Sequence, residues 1–172
     1  NTFDSFDFDY EIIIVDDKST DQTAKIAMEM VNSFHQISFL QNKRNLGTGG
    51  AFQEGIKKAT NDYVIFVPFD NPLDKEDLAQ YLPRMTVCDI VVGVRSDRIG
   101  YTKFARFASF FYNRIMVPLL FNIGVEDVNW IQVYRRRLFS EGIIKFQSSK
   151  VFFLVEILVQ AKRNGLIIAE VP

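Results

Sequence analysis

The 172-residue chain has one cysteine, one histidine and no long unbroken apolar run. Each shortage closes off a class of protein. Cys88 has no second cysteine for an internal disulfide or a cysteine metal cluster, and a reducing compartment fits. His35 stands alone near the end of a helical pattern and reads as a surface residue rather than a ligand or base. The nearest approach to a membrane span, Phe107 to Val125, is interrupted by Asn113, Arg114, Pro118 and Asn122. A spanning helix needs roughly 20 predominantly apolar residues, so no span is expected there. Net charge is only −1, and without a global basic field nucleic acid is not an expected partner. The opening Asn1-Thr2-Phe3-Asp4 has neither an initiator Met nor a basic-then-apolar leader, so no signal peptide is expected.

Two glycine motifs are also incomplete. Gly47-Thr48-Gly49 lacks the third glycine of G-x-G-x-x-G, because that position is Phe52. Gly50 and Gly55 have P-loop spacing, but Ile56 and Lys57 stand where Lys and then Ser or Thr are required. Gly47 to Gly50 can still serve either to let backbone approach a ligand or to make a tight helix start with no ligand.

What is present is a composition of 48% apolar and 24% charged residues, which fits one globular domain with a sizeable core. Seventeen Phe and six Tyr exceed what a small core requires, so an exposed apolar surface is expected. Glu11 to Val15 is a β-branched run ending in Asp16-Asp17, the pattern of a buried parallel strand. Ser19 with Gln22 predicts a capping box opening a helix, whose stripe is Ala27, Met30, Val31 and Phe34. Ile37 to Gln41 reads as strand, the stretch after Asn45 as helix, Tyr63 to Val67 as strand, Lys75 to Leu82 as helix and Asp89 to Val94 as strand. Such consecutive βα units predict a Rossmann-like α/β fold with a mostly parallel central sheet flanked by helices. Beyond Arg95, Lys103 to Phe121 reads as a long Phe-rich helical segment broken near Pro118. Trp130 to Tyr134 reads as strand, Arg135 to Glu141 as a short basic helix, Val151 to Asn164 as helix and Leu166 to Glu170 as a last strand.

Candidate chemistry gathers at strand ends. Asp16, Asp17 and Asp70 each follow a strand, which is where open α/β sheets bind ligands. Any of them can equally be a cap or turn residue, and Asp70-Asn71-Pro72 reads as a turn with Asp74 capping the next helix. Arg95, Arg98, Lys103 and Arg106 form one cationic patch and Arg135-Arg136-Arg137 another. They suit local phosphate binding, because Arg presents a planar fork of donors; a solvated face with ion pairs to Asp97, Glu126 and Asp127 is the alternative. The Phe-rich segment beside the first patch reads either as an interfacial helix lying on a membrane surface or as a core helix.

These motifs, in order, resemble the family 2 glycosyltransferases of the GT-A fold. The resemblance rests on Glu11-Ile-Ile-Ile-Val-Asp-Asp-Lys-Ser-Thr-Asp-Gln-Thr23, Asn45-Leu-Gly47 with Gly50-Ala51, Asp70, Val92-Gly93-Val-Arg95, Tyr134-Arg135-Arg136, and Glu156 with Glu170-Val-Pro172. It runs from about Tyr10 to the end. Within the family, Asp89 to Arg95, the Phe-rich segment and the arginines look most like the polyprenyl-phosphate glycosyltransferases, relatives of dolichyl-phosphate mannose synthase. The resemblance implies a single GT-A domain over residues 1–172, short of the family's first strand and so incomplete as given. On that count the Phe-rich amphipathic segment follows the fifth strand.

The implied activity is inverting transfer of a hexose from a UDP- or GDP-sugar to a polyprenyl phosphate, at the inner, cytoplasmic face of a membrane. Asp16, Asp17, Asn45, Gly47 and Asp70 would bind the donor, with Asp17 on the nucleobase. Arg95, Arg98, Arg135 and Arg136 would contact phosphates. Pro68 replaces the first Asp of Asp-x-Asp and Pro72 follows two after Asp70, so the implied Mg²⁺ or Mn²⁺ would rest on Asp70 and diphosphate oxygens. Asp70 is thus also the catalytic candidate. Transfer to a sugar hydroxyl instead would need a base, with Asp127 or Glu126 as candidate. A non-catalytic nucleotide-sugar-binding relative is a further alternative.

Overall fold

The computed structural model describes residues 9–69, 75–95 and 102–171. In chain order its elements are β1 (Ile12–Asp16), α1 (Thr23–Ser33), β2 (Ile37–Gln41), α2 (Gly47–Lys58), β3 (Tyr63–Ile65), α3 (Lys75–Arg84) and β4 (Ile90–Gly93). There follow α4 (Lys103–Phe111), a π-helical turn (Tyr112–Met116), α5 (Val117–Phe121), β5 (Gln132–Arg135), α6 (Arg137–Ser140), α7 (Phe153–Arg163) and β6 (Ile168–Val171). Contacts divide the chain into two units, Asn1–Val64 with Arg136–Phe153, and Ile65–Arg135 with Leu154–Pro172.

In the first unit β1 pairs in parallel with β2, Ile12 opposite Ile37 through Asp16 opposite Gln41. The β-branched residues of β1 make this local choice, because they pack well on a pleated surface. Ile14, Ala27 and Ile37 are buried together, with Ile12, Val31 and Phe39 against them, so α1 covers one face through Ala27 and Val31, while Met30 and Phe34 of the predicted stripe are exposed. Further along, Phe52, Phe139, Phe146 and Phe153 form an aromatic cluster with ring centroids 5.3 to 6.1 Å apart, within the range where offset and edge-on rings attract. Several of the Phe residues are therefore absorbed by a core.

The second unit's β4 is buried along its whole length and lies between two partners. It pairs with β6 in parallel and with β5 antiparallel, Ile90 opposite Tyr134. The mostly parallel expectation thus meets one antiparallel strand. The reason is the long segment between β4 and β5, which brings the chain back in the reverse direction instead of making a right-handed βαβ crossover. Tyr81, Met85, Cys88, Val91, Ile131, Val133 and Val171 pack as this unit's core.

Two local expectations are corrected. Ser19 and Gln22 do not form a capping box: α1 starts at Thr23 with no side-chain cap at Gln22, and Asp21 accepts the Thr23 N–H at 2.9 Å instead. Ser19 is drawn away by the buried Asp16 carboxylate, which takes both its N–H and its hydroxyl. The Phe-rich segment stays helical through Pro118, and its irregularity is the π turn just before it. Proline has no N–H to give the preceding turn, and a widened turn accommodates that loss.

Candidate functional site

In the first unit, the in-register parallel pairing sets equivalent strand ends side by side. Asp16 and Gln41 are register partners, and Gln41 Nε2 donates to Asp16 Oδ2 at 2.7 Å. One residue further on, Asn42 Nδ2 donates to Asp17 Oδ1 at 2.8 Å. Asp16 is buried, 3% exposed. Hydrogen bonds from Ser19 and then Gln41 hold its carboxyl below the usual range, against the upward push of burial. The turn after it places Lys18 in the left-handed region, φ 71°, a conformation few non-glycine residues adopt.

Asp17 faces the first turn of α2. Its Oδ1 accepts the Leu46 N–H at 2.8 Å and its Oδ2 the Gly47 N–H at 2.7 Å. Asn45 Oδ1 also accepts the Gly47 N–H, at 3.1 Å. A helix N-terminus offers unpaired N–H groups and partial positive charge, and here the Asp17 carboxylate, just past the end of β1, accepts two of those N–H groups. Gly47 has φ 74°. A Cβ on Gly47 would lie 2.4 Å from Ser149 O, and one on Gly49 2.0 Å from Ser148 O. Gly49 N–H donates to Ser149 O at 2.8 Å. The backbone that these glycines admit is therefore the chain's own. Arg136, also in this unit, donates through Nε to Asn61 O at 2.8 Å, and Glu11 accepts the N–H groups of Thr60 and Asn61 beside it.

The second unit holds Arg95, Asp127 and Arg135. Arg95 meets Asp127 edge-on, Nε to Oδ2 at 2.7 Å and Nη2 to Oδ1 at 3.0 Å. The Arg95 guanidinium carbon sits 4.7 Å from the Trp130 ring centroid. The Asp127 side chain is 1% exposed and that of Arg95 14%. Asn129 N–H adds a bond to Asp127 Oδ1 at 3.2 Å, and the Asn129 side chain meets the Tyr112 hydroxyl, whose pKa burial pushes up. Glu170 accepts the Glu126 N–H at 2.6 Å, tying this loop to β6. Arg135 instead donates to Cys88 O at 3.0 Å and Met85 O at 2.5 Å, with Asp89 at 3.8 Å. It thus serves the carbonyls that follow α3. Gly93, at the end of β4, leaves no room for a side chain: a Cβ would lie 1.7 Å from Tyr81 Oη and 2.7 Å from Trp130.

Asp70 and Arg98 lie outside the described residues, as do Asn71, Pro72, Asp74 and Asp97. Among the described residues no group of three His, Cys, Asp or Glu comes together to hold a metal ion. In the sequence Pro68 stands where Asp-x-Asp would supply a second carboxylate, which leaves Asp70 as that motif's one acidic residue. That donor set still suits a hard cation, which accepts one or two carboxylates beside phosphate oxygens and water.

The segment from α4 to α5 exposes Phe104 and Leu119 by 80% and 82%, with Phe107, Phe110 and Leu120 also exposed and Val117 buried. Phe107 and Phe111 stack at 6.4 Å. Among the described residues no helix is long and apolar enough to cross a membrane.

Sequence reasoning missed Gln41, Asn42, Trp130 and Ser148-Ser149. Only the first two carried a signal: Gln41-Asn42 ends its strand at the same offset as Asp16-Asp17, and in-register parallel strands make such residues neighbours.

The family model described as Glycosyl transferase family 2 matches residues 3–143. A dolichyl-phosphate beta-glucosyltransferase of Dictyostelium discoideum is 29% identical over 177 residues, covering 95% of this chain and 54% of the relative. A dolichyl-phosphate beta-glucosyltransferase of Trichomonas vaginalis is 27% identical over 177 residues, covering 96% and 52%. The chain thus spans about half the length of the curated relatives it matches. Among solved structures, S. aureus TarS 1-349 superposes with a TM-score of 0.64 at 22% identity, covering 96% of this chain and 50% of that one. Glucosyl-3-phosphoglycerate synthase from Mycobacterium tuberculosis gives 0.65 at 16% identity, covering 93% and 57%. The synthase has also been solved with Mn²⁺, UDP-glucose and phosphoglyceric acid; that structure gives a TM-score of 0.60 at 17% identity, covering 92% and 56%. The shared fold is the GT-A glycosyltransferase fold.

Proposed function

The chain belongs to glycosyl transferase family 2, and from that premise we propose that it is the GT-A part of an enzyme that transfers a hexose, with inversion, from a nucleotide sugar to a polyprenyl phosphate. The observation that carries this reading is the likeness to dolichyl-phosphate beta-glucosyltransferases along 95% of the chain. Their name favours glucose as the sugar. UDP-glucose in a structural neighbour favours uridine over guanosine in the donor.

Asp16, Asp17, Asn45 and Gly47 form the donor-side set at the ends of β1 and β2. Arg95 is the leading phosphate ligand, with Arg98 beside it in sequence. Arg135 and Arg136 have less support, since both guanidinium groups bind backbone carbonyls of their own units. Asp70 would hold Mg²⁺ or Mn²⁺ against the diphosphate, and the ion would neutralise charge on the leaving nucleotide. A lipid phosphate is ionised near pH 7, so the protein's task is to position two anionic groups and stabilise their charge. No general base is required. Transfer to a sugar hydroxyl would need one, and Asp127 is poorly placed for it, buried with both oxygens engaged by Arg95.

The exposed Phe104, Phe107, Phe110, Leu119 and Leu120 support docking of the α4 to α5 segment on the membrane that carries such an acceptor. The decisive assay gives the full-length protein radiolabelled UDP-glucose or GDP-mannose, dolichyl phosphate and Mn²⁺. Label should enter the lipid fraction from UDP-glucose, and both chelation and Asp70→Asn should abolish it. No lipid-linked label from any nucleotide hexose would refute the reading.

A further inference from the structure

We propose that the π turn between α4 and α5 sets the two helices in one register, so that apolar residues from both form a single strip that lies flat on a lipid bilayer. The choice of a bilayer rests on the lipid acceptor proposed above; the register stands apart from it.

An α-helix turns by about 100° per residue, so residues three, four and seven apart share a face. Phe104, Phe107 and Phe111 have that spacing in α4 and are all exposed. In α5, Leu119 and Leu120 are exposed as well. Along an unbroken helix Leu119 would stand about 60° from Phe104 and Leu120 about 160°, nearly on the far side. The helix is not unbroken. Val117 N–H bonds to Tyr112 O, five residues back instead of four, and such a π turn takes in one residue more than an α turn. Everything after it is therefore set back by about 100°. Leu119 and Leu120 then stand about 40° to one side of Phe104 and about 60° to the other.

With Phe107 and Phe111 they fall within an arc of about 120°, the width of one apolar helix face. Ile115 and Met116, exposed within the turn itself, bridge the two groups. Exposed Phe110 stands beyond the Phe107 margin, and buried Val117 lies outside the arc on the other side. Pro118 explains why a widened turn is tolerated; the common face is its consequence.

From Phe104 to Leu120 the strip runs for roughly 22 Å. Among the described residues no helix is long and apolar enough to cross a membrane, and an apolar strip on such a helix suits the plane of the bilayer surface. Charge agrees with this. The positions of Lys103 and Arg106 in α4 fall about 100° and 160° from Phe104 on the Phe107 side, off the strip, where cations of a surface helix meet anionic headgroups. A polyprenyl phosphate partitions into the same layer, so the strip holds the enzyme where its acceptor is.

The test uses the full-length protein and vesicles of phosphatidylcholine with phosphatidylserine, without donor or acceptor. Phe104→Cys, Phe107→Cys, Leu119→Cys, Leu120→Cys and, as the contrast, Arg106→Cys each carry a polarity-sensitive dye on the new thiol, Cys88 being buried. On vesicles the first four should shift to the blue and gain about tenfold protection from iodide, because the apolar side of a surface helix reaches about 5–10 Å into the headgroup boundary. The dye at Arg106→Cys should do neither. Protection at Phe104→Cys and Phe107→Cys without Leu120→Cys would overturn the single register. Protection at none of them would overturn lipid docking and leave another part of the full-length chain, or a second copy, to cover this face.

Removal of Asn113 gives a second reading. It makes the Val117 to Tyr112 bond an α-helical one and leaves both flanks in register, so vesicle co-sedimentation should stay within about threefold of wild type. A loss of more than about tenfold with helix content unchanged would mean that the flanks did not share a face. Failure of wild type to label dolichyl phosphate would refute the proposed reaction alone, since these readouts need neither substrate.

Discussion

The Asp17 carboxylate accepts the Gly47 N–H at 2.7 Å, across thirty residues of chain. Together with its bond from Leu46 N–H, this makes Asp17 the cap of α2, supplied from the end of β1. Losing such a cap costs about 0.5–2 kcal/mol. Asp17→Ala should lower stability by that amount in urea denaturation, and Asp17→Asn by less, because one oxygen acceptor remains. Equal stability of wild type and Asp17→Ala would refute the capping role.

Gly93 and Tyr81 form a second testable pair. A Cβ on Gly93 would collide with the Tyr81 hydroxyl, so Gly93→Ala should destabilise by about 1–3 kcal/mol, the usual cost of overpacking. Removing the hydroxyl should return part of that loss, making Gly93→Ala with Tyr81→Phe more stable than Gly93→Ala alone. Additive losses in thermal denaturation would show that the hydroxyl is not the obstacle.

Acid should weaken the first unit through two carboxylates. Asp16 lies below its ordinary value through Ser19 and Gln41. Burial, the largest single influence on Glu11, pushes it up, but Thr60, Asn61 and the Arg136 charge together carry it below. A depressed group binds fewer protons folded than unfolded. Its stabilisation is complete above the unfolded value, about 4 for Asp and Glu, and is lost as pH falls through the folded one. Urea midpoints should therefore fall between about pH 4.5 and 3, and more gently for Asp16→Asn with Glu11→Gln. Identical slopes would rule these two groups out.

The apolar face of α4 to α5 yields a prediction that separates binding from folding. Phe104 and Leu119 are so exposed that changing them to Ser should shift stability by no more than about 0.5 kcal/mol. On a bilayer each buried side chain contributes roughly 1.5–3 kcal/mol. The double variant should therefore bind phospholipid vesicles at least about a hundredfold more weakly in co-sedimentation. Unchanged sedimentation would place the membrane contact elsewhere.

The β-branched runs that became β1 and β4 were legible because burial on both faces needs continuous apolar residues, and that requirement is local. Half of the α1 stripe was legible too: Ala27 is buried and Val31 packs against the core, while Met30 and Phe34 are exposed. The direction of β5 was not legible, since an apolar strand reads the same parallel or antiparallel. Ser19 misled for a related reason: its hydroxyl can serve a helix end or a buried acid, and the sequence does not say which lies nearer.

Asp16, Asp17 and Arg95 at their strand ends came from the sequence, because parallel strands deliver side chains to their carboxyl edge whatever surrounds them. Arg135, by contrast, ends the antiparallel β5 and so lies beside the amino end of β4. Their duties came from tertiary structure. Arg95, Arg135 and Arg136 are chemically the same, yet Arg95 meets a buried carboxylate and a Trp face while the other two meet backbone carbonyls. Those partners lie 32 to 75 residues away in the chain. No local pattern encodes them; packing that brings distant segments together decides which guanidinium meets a carboxylate and a ring and which meets backbone carbonyls.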